Sequence, residues 1–187
     1  MKRNIIVAKN ALSPQLCEQI ISLQKNEFSE KGSVGDGFIN KKVRNSEVCF
    51  LYGSVKYFDI YKNIIDLVNK VNNEFYKFDL VEPETFQLTK YDEKNKGFYK
   101  PHEDGVYDNP ESPTVRKLSM SAQLTSPEYY EGGQLEFPDD KEKFIYEDAK
   151  EQGTVVFFPS YLKHGVQPVT KGIRYSLVSW FIGPNFR

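Results

Sequence analysis

The chain has 187 residues, a formal net charge of −1, and no repeated or low-complexity segment. That length suits one domain with a sizeable core, and an apolar fraction of 39% with 14% aromatics can fill it. The balanced charge excludes a broadly basic surface, so no nucleic-acid partner is expected. Cys17 and Cys49 are the only cysteines. They make neither a disulfide framework nor a zinc site, which predicts a reducing, cytoplasmic setting. The stretch Met1 to Val7 is charged and then briefly apolar. It is too short for a signal peptide or a membrane span, and no membrane association is expected.

In chain order, residues 4–8 read as a first strand. Ser13-Pro14 offers an N-cap followed by proline at the first helical position. Leu12, Leu16, Ile20 and Leu23 then recur at helical spacing, which predicts a helix over about 14–28. Residues 29–46 are polar and rich in Gly, Lys and Asn, and read as a loop. Ile60, Ile64, Leu67, Val71 and Phe75 predict a second amphipathic helix.

After Pro83 the pattern changes to strands. Residues 85–91 alternate, 98–102 follow as a second strand, and 117–124 alternate again. Gly132-Gly133 marks a turn before a short strand over 134–137. Residues 139–151 carry mixed charge and read as a solvated excursion. Residues 154–158 form the continuous apolar run of a strand buried on both faces. A long strand follows over 173–182. Helices first and then seven or eight short strands predict a mainly β fold, with a helical layer packed on a β-sandwich or barrel.

The chain has only two histidines, His102 and His164. On a strand, positions i and i+2 share a face, so His102 and Asp104 aim together while Glu103 aims away. With His164 as the third ligand, two imidazoles and one carboxylate make the ligand set of a mononuclear Fe(II) site with open coordination positions. Taken alone, His-x-Asp is equally the pattern of unrelated polar residues. Arg174 lies among apolar neighbours on the last strand, and a buried guanidinium needs an anionic partner. A ligand carboxylate is one such partner, met in two-pronged geometry. Ser176 and Trp180 share its strand parity. Trp180 reads equally as pocket lining or as core packing.

Together these residues resemble the Fe(II)/2-oxoglutarate-dependent dioxygenase superfamily, and within it the prolyl 4-hydroxylase-like branch. The matching pieces are Tyr91, Gly97, Tyr99 to Asp104, Arg116 to Ser119, Tyr130 to Phe137, Gly153 to Pro159, His164 to Val169 and Gly172 to Leu177. They run in the family's order from about residue 85 to 183. The resemblance implies a double-stranded β-helix, or jelly-roll, flanked by a helical layer. It makes residues 1–187 one dioxygenase domain, with 1–82 as helical support and 83–187 as catalytic core. It implies His102, Asp104 and His164 on Fe(II), with 2-oxoglutarate and O2 as co-substrates and ascorbate as a possible stimulant. Arg174 would meet the distal carboxylate of 2-oxoglutarate, helped by Tyr91 and Ser176. Tyr91 lies slightly further from His102 than in the usual pattern. Tyr99, Arg116 and Trp180 are candidates for the substrate pocket. Arg116 reads equally as a surface charge at a strand start.

The implied activity is hydroxylation of a C–H bond, with release of succinate and CO2. Peptidyl proline is the first substrate candidate, in a peptide or protein partner. Collagen-type enzymes commonly carry Lys at the position of Arg174, so collagen is not the expected substrate. The alternatives are hydroxylation of a free amino acid or other small molecule, and a non-catalytic jelly-roll binding module. Relatives that repair nucleic-acid bases carry a second arginine where this chain has Trp180, which argues against that chemistry. The polar, Pro-containing segment 105–115 reads as a lid over the substrate or as an ordinary connection.

Overall fold

Two β-sheets, not one, grow out of the alternating segments. The computed structural model describes residues 4–26, 30–32, 39–105, 112–138 and 143–186. Its strands are β1 (Ile6–Ala8), β2 (Glu30–Lys31), β3 (Arg44–Asn45), β4 (Glu47–Leu51), β5 (Glu82–Asp92), β6 (Phe98–His102) and β7 (Thr114–Gln123). They continue as β8 (Tyr130–Gly132), β9 (Leu135–Pro138), β10 (Lys143–Ile145), β11 (Val155–Pro159), β12 (His164–Val166) and β13 (Val169–Pro184). The helices are α1 (Pro14–Asn26) and α2 (Phe58–Val71). The larger sheet runs β1-β11-β7-β13-β5-β4-β2, with β8 attached to β13. The smaller runs β10-β9-β12-β6-β3. Every pairing is antiparallel.

The larger sheet has two buried faces of different character. Phe86, Leu88, Leu118, Met120, Ala122, Val155, Phe157 and Leu177 point toward the helices and join Cys17, Ile20, Ile60, Ile64 and Val68 in the main core. The opposite face carries Val156 and Phe158, which pack with Leu135, Phe137, Val166 and Tyr91 between the sheets. Strand β11 therefore contributes to both cores, which is why its sequence is an unbroken apolar run. On β5, β7 and β13 the same inner face carries Gln87, Thr89, Ser119, Ser121, Gln123, Arg174 and Ser176, all buried. Buried polar groups on a strand face need partners, and here they gather at one end of the space between the sheets.

Local chemistry explains most of the boundaries. The Ser13 hydroxyl accepts from the Leu16 amide at 3.2 Å and starts α1. α2 buries Ile60, Ile64, Val68 and Val71, with Val68 rather than Leu67 at the centre of the stripe. Phe75 departs from its predicted place in that stripe and is exposed. The helix widens into a π-turn over Asn72–Tyr76, which rotates Phe75 off the core face. The Asn72 side chain closes this turn, donating to the Phe78 carbonyl and accepting from its amide.

Several segments differ from the sequence reading. Residues 29–46, read as a loop, contain β2 and β3. Two-residue polar strands have no alternation to detect, and pairing with β4 and β6 alone defines them. Within 139–151, β10 pairs with β9, so the excursion returns to the sheet; residues 139–142 lie outside the described set. Strands β8 and β12 are likewise too short to show a period. Strand β13 is longer than predicted because it continues through Gly172, whose φ of +71° and close approach to the Tyr129 carbonyl demand glycine. Both cysteines are buried and neither is in a disulfide.

Candidate metal centre

His102 is the last residue of β6 and His164 the first of β12, and the two are direct partners across that ladder. Each imidazole is oriented by the same local device. His102 Nδ1 lies 2.9 Å from the Lys100 carbonyl, and His164 Nδ1 lies 2.9 Å from the Leu162 carbonyl. A carbonyl can only accept, so both Nδ1 atoms carry the proton and both Nε2 lone pairs are free for a metal. The Nε2 atoms converge on Asp104, at 3.6 Å from Oδ1 for His102 and 3.4 Å from Oδ2 for His164. The three ligand atoms lie within 4.8 Å of one another.

Asp104 does not reach this point by strand parity, because β6 ends at His102. It sits in the following turn. Its amide and that of Gly105 both donate to the Ser160 carbonyl at 3.0 Å. Its carboxylate accepts from the Ser119 hydroxyl at 2.8 Å, and Ser119 is 2.9 Å from the Ser160 hydroxyl. Burial opposes ionisation of Asp104, but the His164 and His102 imidazoles and the Ser119 hydroxyl outweigh it and hold the carboxyl well below the usual range. Burial also pushes His164 down, against the pull of Asp104, which favours the neutral ring a metal requires. Two imidazoles and one carboxylate, all on one side, fit Fe(II) with positions left open.

Arg174 lies opposite Tyr91 in the β13–β5 ladder, and Ser176 lies between Thr89 and Gln123. The guanidinium is almost wholly buried. Its Nε donates to Gln123 Oε1 at 2.9 Å, and it hydrogen-bonds the Tyr130 phenol. Burial pushes that phenol up, with Arg174 pulling against it. Gly133 makes room for this arginine, since a Cβ there would lie 2.9 Å from Arg174 Cδ. Among the described residues no carboxylate pairs with Arg174, and its Nη1 is buried without a partner. An orphaned cationic donor is costly, and a carboxylate-bearing ligand is the group that would satisfy it.

Tyr91 and Ser176 line a cavity of about 650 Å³ that also takes in all three triad residues. Tyr99 and Trp180 are on its wall as well. The Tyr99 ring stacks on His102 at 3.6 Å, with the Arg44 guanidinium 4.7 Å from its centroid. Trp180 faces Ser119 on the inner side of the sheet, so it lines the cavity rather than filling the main core. Arg116 stacks over Trp180 at 4.2 Å, pairs with Glu84 and donates to the Asp104 carbonyl at 3.4 Å. It is therefore a wall residue tied to the ligand turn, not an isolated surface charge. Sequence reasoning missed Gln123, Ser160, Glu84 and Arg44 here. Only Gln123 left a signal, as a polar residue in phase with Ser119 and Ser121. Of the segment read as a lid, residues 106–111 lie outside the described set. No helix among the described residues is long and apolar enough to cross a membrane.

The chain is similar to known proteins in sequence and in fold. A PKHD-type hydroxylase, YbiX, of Escherichia coli O6:K15:H31 (strain 536 / UPEC) is 32% identical over 119 residues, 62% of this chain and 52% of that protein. The chain spans about half the length, or less, of the curated relatives it matches. A Pseudomonas putida prolyl-4-hydroxylase superposes with a TM-score of 0.75 at 20% identity, covering 96% of this chain and 93% of that one. A Trichoplax adhaerens prolyl hydroxylase in complex with a hypoxia inducible factor peptide fragment gives 0.75 at 17% identity, covering 96% and 84%. At these identities the superpositions show a shared fold, the jelly-roll. Residues 86–182, the span that holds the triad and Arg174, match the model of the 2OG-Fe(II) oxygenase superfamily, and the chain belongs to that superfamily.

Proposed function

We propose that this chain is an Fe(II)- and 2-oxoglutarate-dependent dioxygenase that hydroxylates a C–H bond of a peptidyl residue such as proline. The observation that carries this reading is a cavity walled by His102, Asp104, His164 and Tyr91, with the orphaned Nη1 of Arg174 buried on a guanidinium that lies against the Tyr91 ring. In this reading the triad holds the iron. Bound iron supplies the activation of O2, coupled to oxidation of 2-oxoglutarate to succinate and CO2. Arg174 receives the distal carboxylate, steadied by Gln123, with Tyr91 and Ser176 on the adjoining wall. Tyr99, Arg116 and Trp180 shape the space left for substrate. Ascorbate would stimulate turnover by keeping the iron reduced.

A peptide substrate is favoured by the wide wall running from Tyr91 out to Trp180 and Ile182, and by likeness to the prolyl-hydroxylase fold. The test is succinate formation from 2-oxoglutarate by purified protein with Fe(II), ascorbate and O2, with and without proline-rich peptides. Turnover that rises with peptide is the expected result. Slow turnover unaffected by peptide but raised by a free amino acid would move the substrate to small molecules. No turnover by the iron-loaded protein would leave a binding module.

A further inference from the structure

The carboxylate ligand is held by a chain of two serines. Ser119 and Ser160 are buried, with relative exposures of 1% and 0%. Ser119 Oγ is 2.8 Å from Asp104 Oδ2 and 2.9 Å from Ser160 Oγ. An ionised carboxylate only accepts, so the single hydroxyl hydrogen of Ser119 goes to Asp104. Ser119 must then accept from Ser160. Each hydrogen in the chain has one possible direction, from Ser160 to Ser119 to Asp104 Oδ2.

The backbone of Ser160 reinforces this arrangement. Its carbonyl accepts from the Asp104 and Gly105 amides, and its own amide donates to the Lys117 carbonyl, each at 3.0 Å. Asp104 lies beyond the end of β6, so strand geometry does not aim its side chain. Ser119 stands opposite Phe158 on β11 and Trp180 on β13, in the middle of the larger sheet, where its position is fixed. A turn residue is thus aimed by a residue on a strand paired on both sides.

We propose that Ser119 and Ser160 are positioning residues for the metal: together they cap Asp104 Oδ2 and leave Oδ1 as the oxygen offered to the ion. A single-oxygen carboxylate keeps positions open that two-oxygen chelation would fill. Outer partners of this kind typically change metal affinity by about 10- to 100-fold when removed. The inference rests on the triad being the metal site proposed above.

The experiment is Co(II) titration of the full chain without oxygen, followed by visible absorbance, for wild type, Ser119→Ala, Ser160→Ala and the double variant. Thermal unfolding of each metal-free protein is recorded beside it. Expected is an affinity loss of about 10- to 100-fold for Ser119→Ala and a smaller loss for Ser160→Ala. The double variant should bind no worse than Ser119→Ala, because Ser160 acts through Ser119. Wild-type affinity in Ser119→Ala overturns the relay alone. So does lowered metal-free stability in both single variants with unchanged affinity, which would mark the serines as structural. If Ser119→Ala does not fold, unchanged affinity in Ser160→Ala overturns the relay. Wild-type protein that takes up no Co(II) overturns the metal reading and the relay with it.

Discussion

Arg174 and Tyr91 face each other across the β13–β5 ladder, with the guanidinium carbon 5.5 Å from the centre of the phenol ring. The ring covers one side of the cation, Gln123 holds Nε, and Nη1 is left over. Removing the arginine should cost one charge-assisted pair, about 1.5–3 kcal/mol. Arg174→Ala should therefore raise the KM for 2-oxoglutarate about 10- to 100-fold while Co(II) affinity stays unchanged. Succinate kinetics and metal titration check the two halves. An unchanged KM removes Arg174 from this role.

His102→Ala and Asp104→Ala should each abolish turnover without unfolding the protein. His102 is half-buried on the wall of the cavity, and Asp104 stands in a turn outside the strands. Neither side chain belongs to the two apolar cores. Circular dichroism, thermal unfolding and succinate release settle the outcome together. Loss of the folded state would make the site structural.

Trp180 is the only tryptophan, so its fluorescence reports one place in the cavity. Arg116→Ala removes the cation over its ring and should shift both intensity and emission maximum. The Arg116–Glu84 pair is partly solvent-exposed, so the stability loss should stay within about 1 kcal/mol. Turnover of a peptide substrate should fall more than the KM for 2-oxoglutarate rises, because Arg116 lies at the Trp180 end of the wall. A change confined to the 2-oxoglutarate KM would contradict this division.

Burial, with Glu18 nearby, raises the Cys17 thiol to about 11. An unfolded thiol ionises near pH 8.5. The native state therefore holds this proton more tightly than the unfolded state. The stability this gives is complete below the unfolded value and is lost as pH rises toward 11. Urea midpoints should fall between pH 9 and 11, and less so in Cys17→Ala. At pH 8 a thiol reagent should find neither cysteine in the native protein and both after unfolding.

His102, Asp104, His164 and Arg174 were picked out by residue type, two rare histidines, a carboxylate near one of them and a cation among apolar neighbours, while the strand parity expected for Asp104 is absent because β6 ends at His102. The strands of the last hundred residues were legible for a similar reason, since β5, β7 and β13 alternate and β11 is an unbroken apolar run. Ser160 and Glu84 were not. Each acquires its meaning from a partner brought near only by folding, Ser119 in one case and Arg116 in the other. Strand β7 also misled in an instructive way. Its alternation of Leu118, Met120 and Ala122 with Ser119, Ser121 and Gln123 reads as one face in the core and one in water. Both faces are buried: on the polar one Ser119 holds Asp104, Gln123 holds Arg174, and Ser121 lines the cavity.

β13 lies between β5 and β7 in the larger sheet, so those two strands touch each other only through it. It also carries Arg174, Ser176 and Trp180. On the ribosome, His102, Asp104 and His164 all emerge before this strand does. Until it arrives, Ser119 and Thr89 belong to separate fragments, and the ligands have no enclosing wall. Such distant pairings form late in folding. The β6–β12 pairing that joins the two histidines needs no part of β13, so the metal ligands can meet before the strand that carries Arg174 arrives.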